Sequence, residues 1–481
     1  MNLSLKKYLI FFVSIIFLAV NLYLMTKDKY FGFIIPAAWL VLWSAIYAYD
    51  KLWLFAAFFV PLSVNFETPI GALFVPTEPI IFGLMFIFFL KEALDRNIDK
   101  KILKHPISIL IYIYLSWMLI TTITSTLPLV SAKFMITKLW FISVFYFMGI
   151  SIFKFHKNIY RFLYLMIISM AIAVVYTLVI HANNGFSSEA AHWVMFPFFK
   201  DHTVYGAVLS MFIPIGVAFL FLKNVSKLQK GIIIIINVLF IVGIIFSYTR
   251  AAWLSLIMAI GILILVLLKI NFKTVGLALA SITLIFFMYQ DQIIYSLSKN
   301  TQDSSENFME NIQSMTNISS DASNLERLNR WNSAIKMYKE KPLIGFGPGT
   351  YQFQYGVFQK YAETTIISTN DGSMGNAHSE YLGPLAEQGL PGMLFFIFIV
   401  IGFSIFALNL HRNMPKGDMK VIVLASYLGL FTYFTHGILN NYLDTDKASV
   451  PFWGFMAIIV SIGIYHQNSG NLKLGFTENK E

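Results

Sequence analysis

Three side chains in this sequence are of the types that could move a group off a phosphate: Arg250, Arg327 and His378. A guanidinium binds phosphate oxygens through two parallel hydrogen bonds and keeps its charge. A neutral imidazole can accept the proton of an incoming hydroxyl. These residue types favour displacement of a phosphate leaving group, with the two arginines on the phosphates and His378 beside the nucleophile.

Four further ionisable residues are second-rank candidates: Arg330, Asp201, His202 and Lys138. Arg330 could join the two arginines on the phosphates. Asp201, His202 and Lys138 stand at the mouths of predicted membrane spans, where ionisable groups are costly and therefore often functional. No metal site is expected, because the sequence has no HExxH motif and no paired histidines at ligand spacing.

Each leading candidate also has a structural interpretation. An arginine at a helix start, such as Arg250, can extend toward lipid headgroups. Arginines on an amphipathic helix at the membrane edge, such as Arg327, often contact anionic lipid. A single loop histidine is more often solvated than catalytic. The stretch Gly345-Phe-Gly347-Pro-Gly349 predicts a tight turn and not a phosphate loop, because no strand precedes it and no Lys-Ser or Lys-Thr follows.

The composition places these residues in a membrane protein. Of 481 residues, 57% are hydrophobic and only 12% are charged, against about a quarter charged in an ordinary soluble protein. Many runs reach the length of about 20 apolar residues that a spanning helix needs. We predict an all-α polytopic membrane protein with about 12 to 14 spans. Their centres lie near residues 17, 40, 58, 84, 116, 144, 170, 212, 239, 260, 282, 401, 430 and 457.

Charge and cysteine content narrow the function and give an orientation. The sequence has no cysteine, which excludes disulfides and thiolate chemistry, and its net charge of +10 comes from scattered basic loops. Nucleic-acid binding is not expected, since it would need one concentrated basic patch. The most basic loops all fall on one side, so both termini are predicted to be cytoplasmic. The first apolar segment has no cleavage site and is read as a retained helix.

Four regions follow from this topology: N-terminal spans over 1–290, an extracytoplasmic loop over 291–390, three C-terminal spans over 391–466, and a cytoplasmic tail over 467–481. In the loop, a first helix is predicted from Asn324 to Lys341, with Ser323 as N-cap and Glu326 completing a capping box.

A second loop helix is predicted to be capped by Asn376 and to end at Gly389. His378 would lie in its first turn. The positive pole of the peptide dipoles would then keep the ring neutral and able to accept a proton.

Four motifs resemble those of the bacterial O-antigen ligase and polymerase family. His378-Ser379, Leu382 and Gly389 are similar to the family's His-[Asn/Ser/Gln]-x-x-Leu-x(6)-Gly signature. The other three similar stretches are Thr249-Arg250-Ala-Ala-Trp253, then Arg327-Leu-Asn-Arg-Trp331 followed by Pro342-Leu-Ile-Gly345-Phe-Gly347, and Phe199-Lys-Asp201-His202, which lacks the final Asn of the Phe-x-Asp-x-Asn pattern. Each motif alone is weak, but all four occur in family order.

The resemblance implies an inverting transfer of a glycan from undecaprenyl diphosphate to an acceptor hydroxyl, with no cofactor. It also implies that Arg250 and Arg327 bind the diphosphate and that His378 orients or deprotonates the acceptor. The expected partners are the lipid-linked glycan, the lipid A core or a growing glycan chain, and membrane lipids. The expected location is the bacterial inner membrane, with the active site facing the periplasm.

Several alternatives remain open. The motifs do not separate a ligase, which attaches a finished glycan to lipid A core, from a polymerase, which extends the chain on its lipid carrier. A protein O-oligosaccharyltransferase is a further possibility. From a different class, a transporter or flippase would show repeat symmetry and charges inside its spans. A passive scaffold would leave the two arginines and the histidine unexplained.

Overall fold

The computed structural model describes residues 15–24, 26–27, 48–68, 71–95, 99–223, 225–270, 321–360 and 375–467, with a few single residues between 281 and 368. The chain divides into two units, Met1–Ala56 and Ala57–Glu481. The first unit contains helix α1, Ile15–Leu24. All contacts below lie within the second unit.

The described part of the chain is almost entirely helical. After α1, its elements in chain order are α2 Tyr49–Phe59, β1 Val64–Thr68, β2 Gly71–Val75, α3 Thr77–Asp95, α4 Lys100–Leu103, α5 Pro106–Ile123, α6 Pro128–Phe153, α7 His156–Asn183, α8 His202–Phe219, α9 Lys227–Ile245, α10 Arg250–Leu267, α11 Ala322–Glu340, α12 Tyr351–Gln354, α13 Leu382–Asn413, α14 Asp418–Leu439 and α15 Asp446–His466.

Nine of these helices are long and apolar enough to cross a bilayer within the described residues: α5 to α10 and α13 to α15. They coincide with the spans predicted near 116, 144, 170, 212, 239, 260, 401, 430 and 457. The predicted fold class, an all-α polytopic membrane protein with three spans after its longest loop, is confirmed. The spans predicted near 40 and 282 lie outside the described residues.

The predicted span near residue 58 is wrong. Helix α2 has 11 residues and ends at Phe59, and the chain then forms a short antiparallel hairpin of β1 and β2. The bend is held by the start of α15, where Lys447 Nζ donates to the carbonyls of Val60 at 2.6 Å and Ser63 at 2.7 Å. Because these partners are far away in sequence, the local apolar run gave no sign of the bend.

Helix α8 packs closely against three neighbours because a glycine lies at each contact, either in α8 itself or in the neighbouring helix. A Cβ at Gly206 would lie 2.7 Å from Thr249, and one at Gly216 would lie 2.5 Å from the Asn237 side chain of α9. A Cβ at Gly429 of α14 would lie 2.5 Å from the Met211 carbonyl of α8. Small residues at such crossings let helix backbones approach in a membrane. The packing fixes the start of α8 beside the start of α10.

The polar loop before the last three spans has a small hydrophobic core, to which α11 contributes Ala334 and Met337. The core consists of Ala334, Met337, Phe346, Tyr351, Tyr355, Ala377 and Ala386. The predicted helix over 324–341 is confirmed, but its cap is Asp321 and not Ser323. The Asp321 carboxylate accepts from the Asn324 amide at 3.1 Å.

The predicted start of the second loop helix is wrong. Helix α13 begins at Leu382, four residues after His378, and His378 has a φ of 48°. The predicted break at Gly389 is confirmed, since its φ of 69° and ψ of −173° interrupt the helix. Helix α13 then continues through Pro391 as the first of the last three spans.

Replacing Gly389 with alanine is expected to destabilise the folded protein. The glycine's dihedral angles are open to few other residues and would cost about 1–3 kcal/mol. The added Cβ would also lie 2.1 Å from the Leu343 carbonyl oxygen. Thermal unfolding of the detergent-purified variant should show a lower midpoint. The control is Gly231→Ala in α9, where nothing lies within 4 Å of the added atom. Equal midpoints for the two variants would refute the strain at Gly389.

Candidate active site

One cavity of about 350 Å³ brings together residues from four separate parts of the chain, and we call it the arginine cavity. Its lining residues are Ser188, His192, His202, Thr203, Tyr248, Thr249, Arg250, Ala251, Leu254, Ser323, Asn324, Arg327 and Leu439. Three of the residues singled out from the sequence, Arg250, Arg327 and His202, are among them.

A tight turn before α10 positions Arg250. Tyr248 has a φ of 50°, and Trp253 Nε1 donates to the Ile244 carbonyl at 2.8 Å, which ties the end of α9 to the start of α10. The Thr249 hydroxyl donates to the carbonyl of His202 at 2.8 Å. The Thr-Arg-x-x-Trp motif therefore covers the end of this turn and the first residues of α10, with Arg250 as the first helical residue.

Arg250 is mostly buried and paired. Its Nη2 donates to Asp321 Oδ1 at 3.0 Å and its Nη1 to Asp321 Oδ2 at 3.1 Å, while Nη1 also donates to the Ser314 hydroxyl at 2.7 Å. The Arg250 side chain is 14% exposed and Asp321 is 3% exposed. The pair joins the start of α11 to the start of α10, so Arg250 also holds the loop against the membrane helices.

Arg327 lies in the second turn of α11 and faces the same cavity. Its Nη1 donates to the Ser323 hydroxyl at 2.7 Å, and its Nε donates to the Leu439 carbonyl at 3.3 Å. No carboxylate pairs with it within the described part of the chain. Burial and the nearby positive charge of Arg250 lower the pKa of Arg327. An anion entering the cavity would offset both effects.

His378 sits next to this cavity in a turn, half-buried. The Asn376 side chain accepts from the His378 amide at 3.1 Å, and the His378 carbonyl accepts from Trp331 Nε1 at 3.3 Å. Its Nδ1 lies 3.4 Å from Asn440 Oδ1, a long contact that orients the ring. No partner for Nε2 occurs among the described residues, which leaves this nitrogen available to accept a proton.

The ring is neutral, but for a different reason from the predicted helix dipole. Burial, together with the positive charges of Arg327 and Arg330, lowers the pKa of His378 to about 4. The imidazole therefore lies within electrostatic reach of both arginines.

The second-rank residues have distinct placements. His202 lines the arginine cavity, with Nδ1 donating to the Ser247 carbonyl at 2.8 Å and its ring 4.3 Å from that of His192. Asp201 caps α8 by accepting from the amides of Thr203 and Val204. Asp201 does not line the cavity and has the contacts of a structural residue.

Arg330 and Lys138 lie away from the arginine cavity. Arg330 is buried in the loop core, paired with Glu326 and stacked 3.9 Å over the Tyr355 ring. Lys138 of α6 donates to the Leu443 carbonyl at 2.5 Å and lines a different cavity. The placement of Arg330 explains why Glu326 does not complete the predicted capping box.

The glycine-rich stretch forms the predicted tight turn. The amides of Phe346 and Gly347 donate to the carbonyls of Ala386 at 3.2 Å and Glu387 at 2.7 Å. Gly345, Gly347 and Gly349 all have positive φ. Because these amides are already bonded within the protein, the stretch does not cradle a phosphate.

Sequence reasoning missed several residues that shape the site. Asn440 contacts His378 from 62 positions away, and its Nδ2 lies 3.1 Å from His436 Nε2. Ser323 and Asn324 hold Arg327 in place. No sequence signal marks Asn440. For metals, no group of three His, Asp or Glu side chains suited to an ion occurs within the described ranges.

The arrangement supplies two chemical functions. Two guanidinium groups on one cavity wall can neutralise a diphosphate, as electrostatic stabilisation of a leaving group requires. A neutral imidazole within reach of the charge of Arg327 can accept a proton. The site is built by the turn before α10, the first turns of α11, the turn before α13 and the end of α14.

The comparison with known families covers this site. Residues 235–397 match the family described as O-Antigen ligase, about a third of the chain. The matched segment contains Arg250, Arg327 and His378, whereas Asp201, His202 and Lys138 precede it. No curated protein matches the sequence. Three of the four motifs lie within the matched segment, and over residues 235–397 the resemblance to the O-antigen ligase family is confirmed.

Proposed function

We propose that the protein is a glycosyltransferase that moves a glycan from undecaprenyl diphosphate to an acceptor hydroxyl, with lipid A core as the acceptor. The observation that carries this proposal is that Arg250 and Arg327 line one cavity. His378 lies within electrostatic reach of Arg327. A polymerase that extends a growing glycan would use the same site, and a protein acceptor is the less favoured alternative.

The proposed step is a displacement at the anomeric carbon of the donor sugar. The acceptor oxygen forms a bond to that carbon while the bond to the phosphate oxygen breaks. Undecaprenyl diphosphate leaves with the electron pair, between Arg250 and Arg327. His378 Nε2 takes the proton of the acceptor hydroxyl. Attack opposite the leaving group inverts the configuration at the anomeric carbon, and the residues named here act without a cofactor.

The proposed location is the periplasmic face of the inner membrane. The basic loops between the predicted spans fall on one side, which would be cytoplasmic by the positive-inside rule. That assignment puts the C-terminus in the cytoplasm and the loop containing α11 on the opposite side. The cytoplasmic N-terminus was predicted by counting the span near residue 58, which helix α2 is too short to form. A lipid-linked donor suits this side, because the glycan is activated before it crosses the membrane.

Deletion of the gene followed by glycolipid gel analysis tests this function. A ligase predicts unattached long chains on the lipid carrier and bare core, whereas a polymerase predicts a single repeat attached to core. An unchanged glycolipid pattern, with the donor intact, would contradict both.

The pH dependence of transfer should report His378. The folded protein holds the pKa of His378 at about 4, against an ordinary 6.5. We expect the acid limb of kcat/KM near pH 4, because this profile reports the free enzyme. The acid limb of kcat should lie at higher pH, because diphosphate bound in the arginine cavity offsets the charge of Arg327. Coincident limbs near 6.5 would contradict this account of the ring.

The same shift makes folding pH-dependent. The unfolded chain binds a proton at His378 between pH 6.5 and 4, whereas the folded protein does not. Stability contributed by this site is therefore present above pH 6.5 and decreases as the pH falls toward 4. Rates below pH 5 should accordingly be measured beside a folding control.

A further inference from the structure

A second cavity, of about 100 Å³, is lined by residues that immediately precede and follow His378 in the chain, and we call it the carboxylate cavity. Asn376, Ala377, Ser379 and Glu380, which flank His378, all line it. Leu439 lines the arginine cavity, whereas Asn441, two residues later, lines the carboxylate cavity. Asn440, the partner of His378, thus joins a lining residue of one cavity to a lining residue of the other along the chain.

Several charged side chains that line the carboxylate cavity form hydrogen bonds with neighbouring parts of the protein. Glu380 Oε1 accepts from the Tyr433 hydroxyl at 2.6 Å and from the amides of Tyr442 at 2.7 Å and Leu443 at 2.8 Å. Glu387 Oε1 accepts from the Tyr351 amide at 3.0 Å. Lys138 donates to the Leu443 carbonyl. These bonds fix the segment after α14 and the turn before α12.

Other polar atoms that line the cavity have no partner among the described residues. They are Gln388 Oε1, Asn441 Oδ1 and Trp453 Nε1. Gln388 is 1% exposed and Trp453 is 2% exposed. A buried polar atom without a hydrogen bond costs about 1–3 kcal/mol, so these atoms call for a ligand or ordered water. Asp444 also lines the cavity and is exposed, and among the described residues its side chain has no hydrogen bond to another side chain.

The charge of the carboxylate cavity is opposite to that of the arginine cavity. Glu380, Glu387 and Asp444 face one Lys138, so the cavity disfavours a diphosphate. Aromatic side chains supply much of the remaining wall: Tyr114, Phe134, Tyr351, Phe396 and Trp453. Carboxylate and amide oxygens accept hydroxyl hydrogens, and aromatic faces pack against the C–H face of a pyranose ring. A few polar groups in an aromatic wall are typical of a small-molecule site.

We propose that the carboxylate cavity binds an uncharged sugar ring of the acceptor and presents one of its hydroxyls to His378. This inference rests on the proposed function, because the acceptor must bind near His378 and outside the cavity that holds the leaving phosphate. Asp444, Asn441, Gln388 and Trp453 are the recognition groups. Because its lining has three carboxylates and one lysine, the carboxylate cavity favours hydroxyls over phosphate or carboxylate substituents.

Steady-state transfer by the purified protein tests the assignment, with donor and acceptor glycolipids isolated from the host strain. Asp444→Asn should raise the acceptor KM about tenfold, the loss expected for a hydrogen bond to a charged group. The donor KM should stay within twofold of wild type. Glu340→Gln, at an exposed carboxylate at the end of α11, is the matched control and should change neither constant.

Ligand-observed NMR with the wild-type protein provides an independent measurement. Methyl β-glucopyranoside should give a saturation-transfer signal that persists with saturating farnesyl diphosphate, and glucuronate should give none. Displacement of the glycoside by farnesyl diphosphate would assign the cavity to the donor sugar and overturn the proposal. No glycoside signal, with farnesyl diphosphate still bound, would mean that the cavity holds only water.

Different results would refute the proposed transfer and the acceptor assignment. If farnesyl diphosphate fails to bind the wild-type protein, or binds equally well without Arg250 and Arg327, the proposed transfer itself is refuted. If that binding is normal but Asp444→Asn leaves the acceptor KM unchanged, the acceptor assignment alone is refuted.

Discussion

Replacing His378 with alanine is expected to lower glycan transfer by about 10²- to 10⁴-fold, the usual contribution of a positioned general base. The ring's Nε2 is available to accept a proton, and Asn440 contacts its Nδ1 at 3.4 Å. Because His378 lies in a turn before α13 and not in a helix, its removal should leave the helices in place. Surface glycan gels and transfer rates of the purified variant measure the effect.

The control for this variant is His156→Ala, at the start of α7 and outside both cavities. It removes an imidazole of similar exposure and should retain transfer. Both variants should reach the membrane in wild-type amounts. A normal glycan profile from His378→Ala would remove the histidine from the chemistry.

Loss of Arg250 is expected to abolish transfer even when its structural partner is changed with it. Replacing Arg250 alone also breaks a buried ion pair, which costs about 3–5 kcal/mol. The double variant Arg250→Gln with Asp321→Asn removes both charges, and asparagine still caps α11. Without one of the two cations over the leaving group, transfer should fall by about 10²- to 10³-fold.

The double variant separates the two roles of Arg250. If the arginine served only to hold Asp321, the double variant would fold and transfer normally. We expect a folded membrane protein with little activity. Arg412→Gln, at an exposed arginine near the end of α13, is the matched control and should behave as wild type.

Much of the membrane domain was predictable because each span is a local property. A run of about 20 apolar residues must form a helix to satisfy its backbone in lipid, whatever its neighbours are. The helices α5 to α10 and α13 to α15 therefore appear where the sequence predicts them. The hairpin after α2 was not predictable, since Asp446 and Lys447 hold it from the far end of the chain.

The candidate site was only partly predictable. The types and order of Arg250, Arg327 and His378 pointed to phosphate chemistry, and the fold brings Arg250 and Arg327 into one cavity with His378 beside it. The local setting of His378 was mispredicted, because a capping pattern cannot reveal a positive φ or a contact with Asn440. The ring is neutral through burial and two arginines, both of which depend on tertiary structure.

The carboxylate cavity could not be predicted from the sequence. Asp444, Gln388 and Trp453 come from a loop, the kink of α13 and the middle of α15. Nothing in their spacing relates them. Their significance rests on unpaired atoms that meet in one place, which only the folded chain shows.

The most direct measurement is the affinity of the purified protein for undecaprenyl diphosphate, by titration in detergent. We expect His378→Ala to bind as wild type, and Arg327→Gln to bind about tenfold to a hundredfold more weakly, the loss of a charge-assisted hydrogen-bonded pair. Arg327 is the better probe, because no carboxylate pairs with it within the described part of the chain. Unchanged affinity in Arg327→Gln would contradict the claim that the arginine cavity holds the leaving diphosphate.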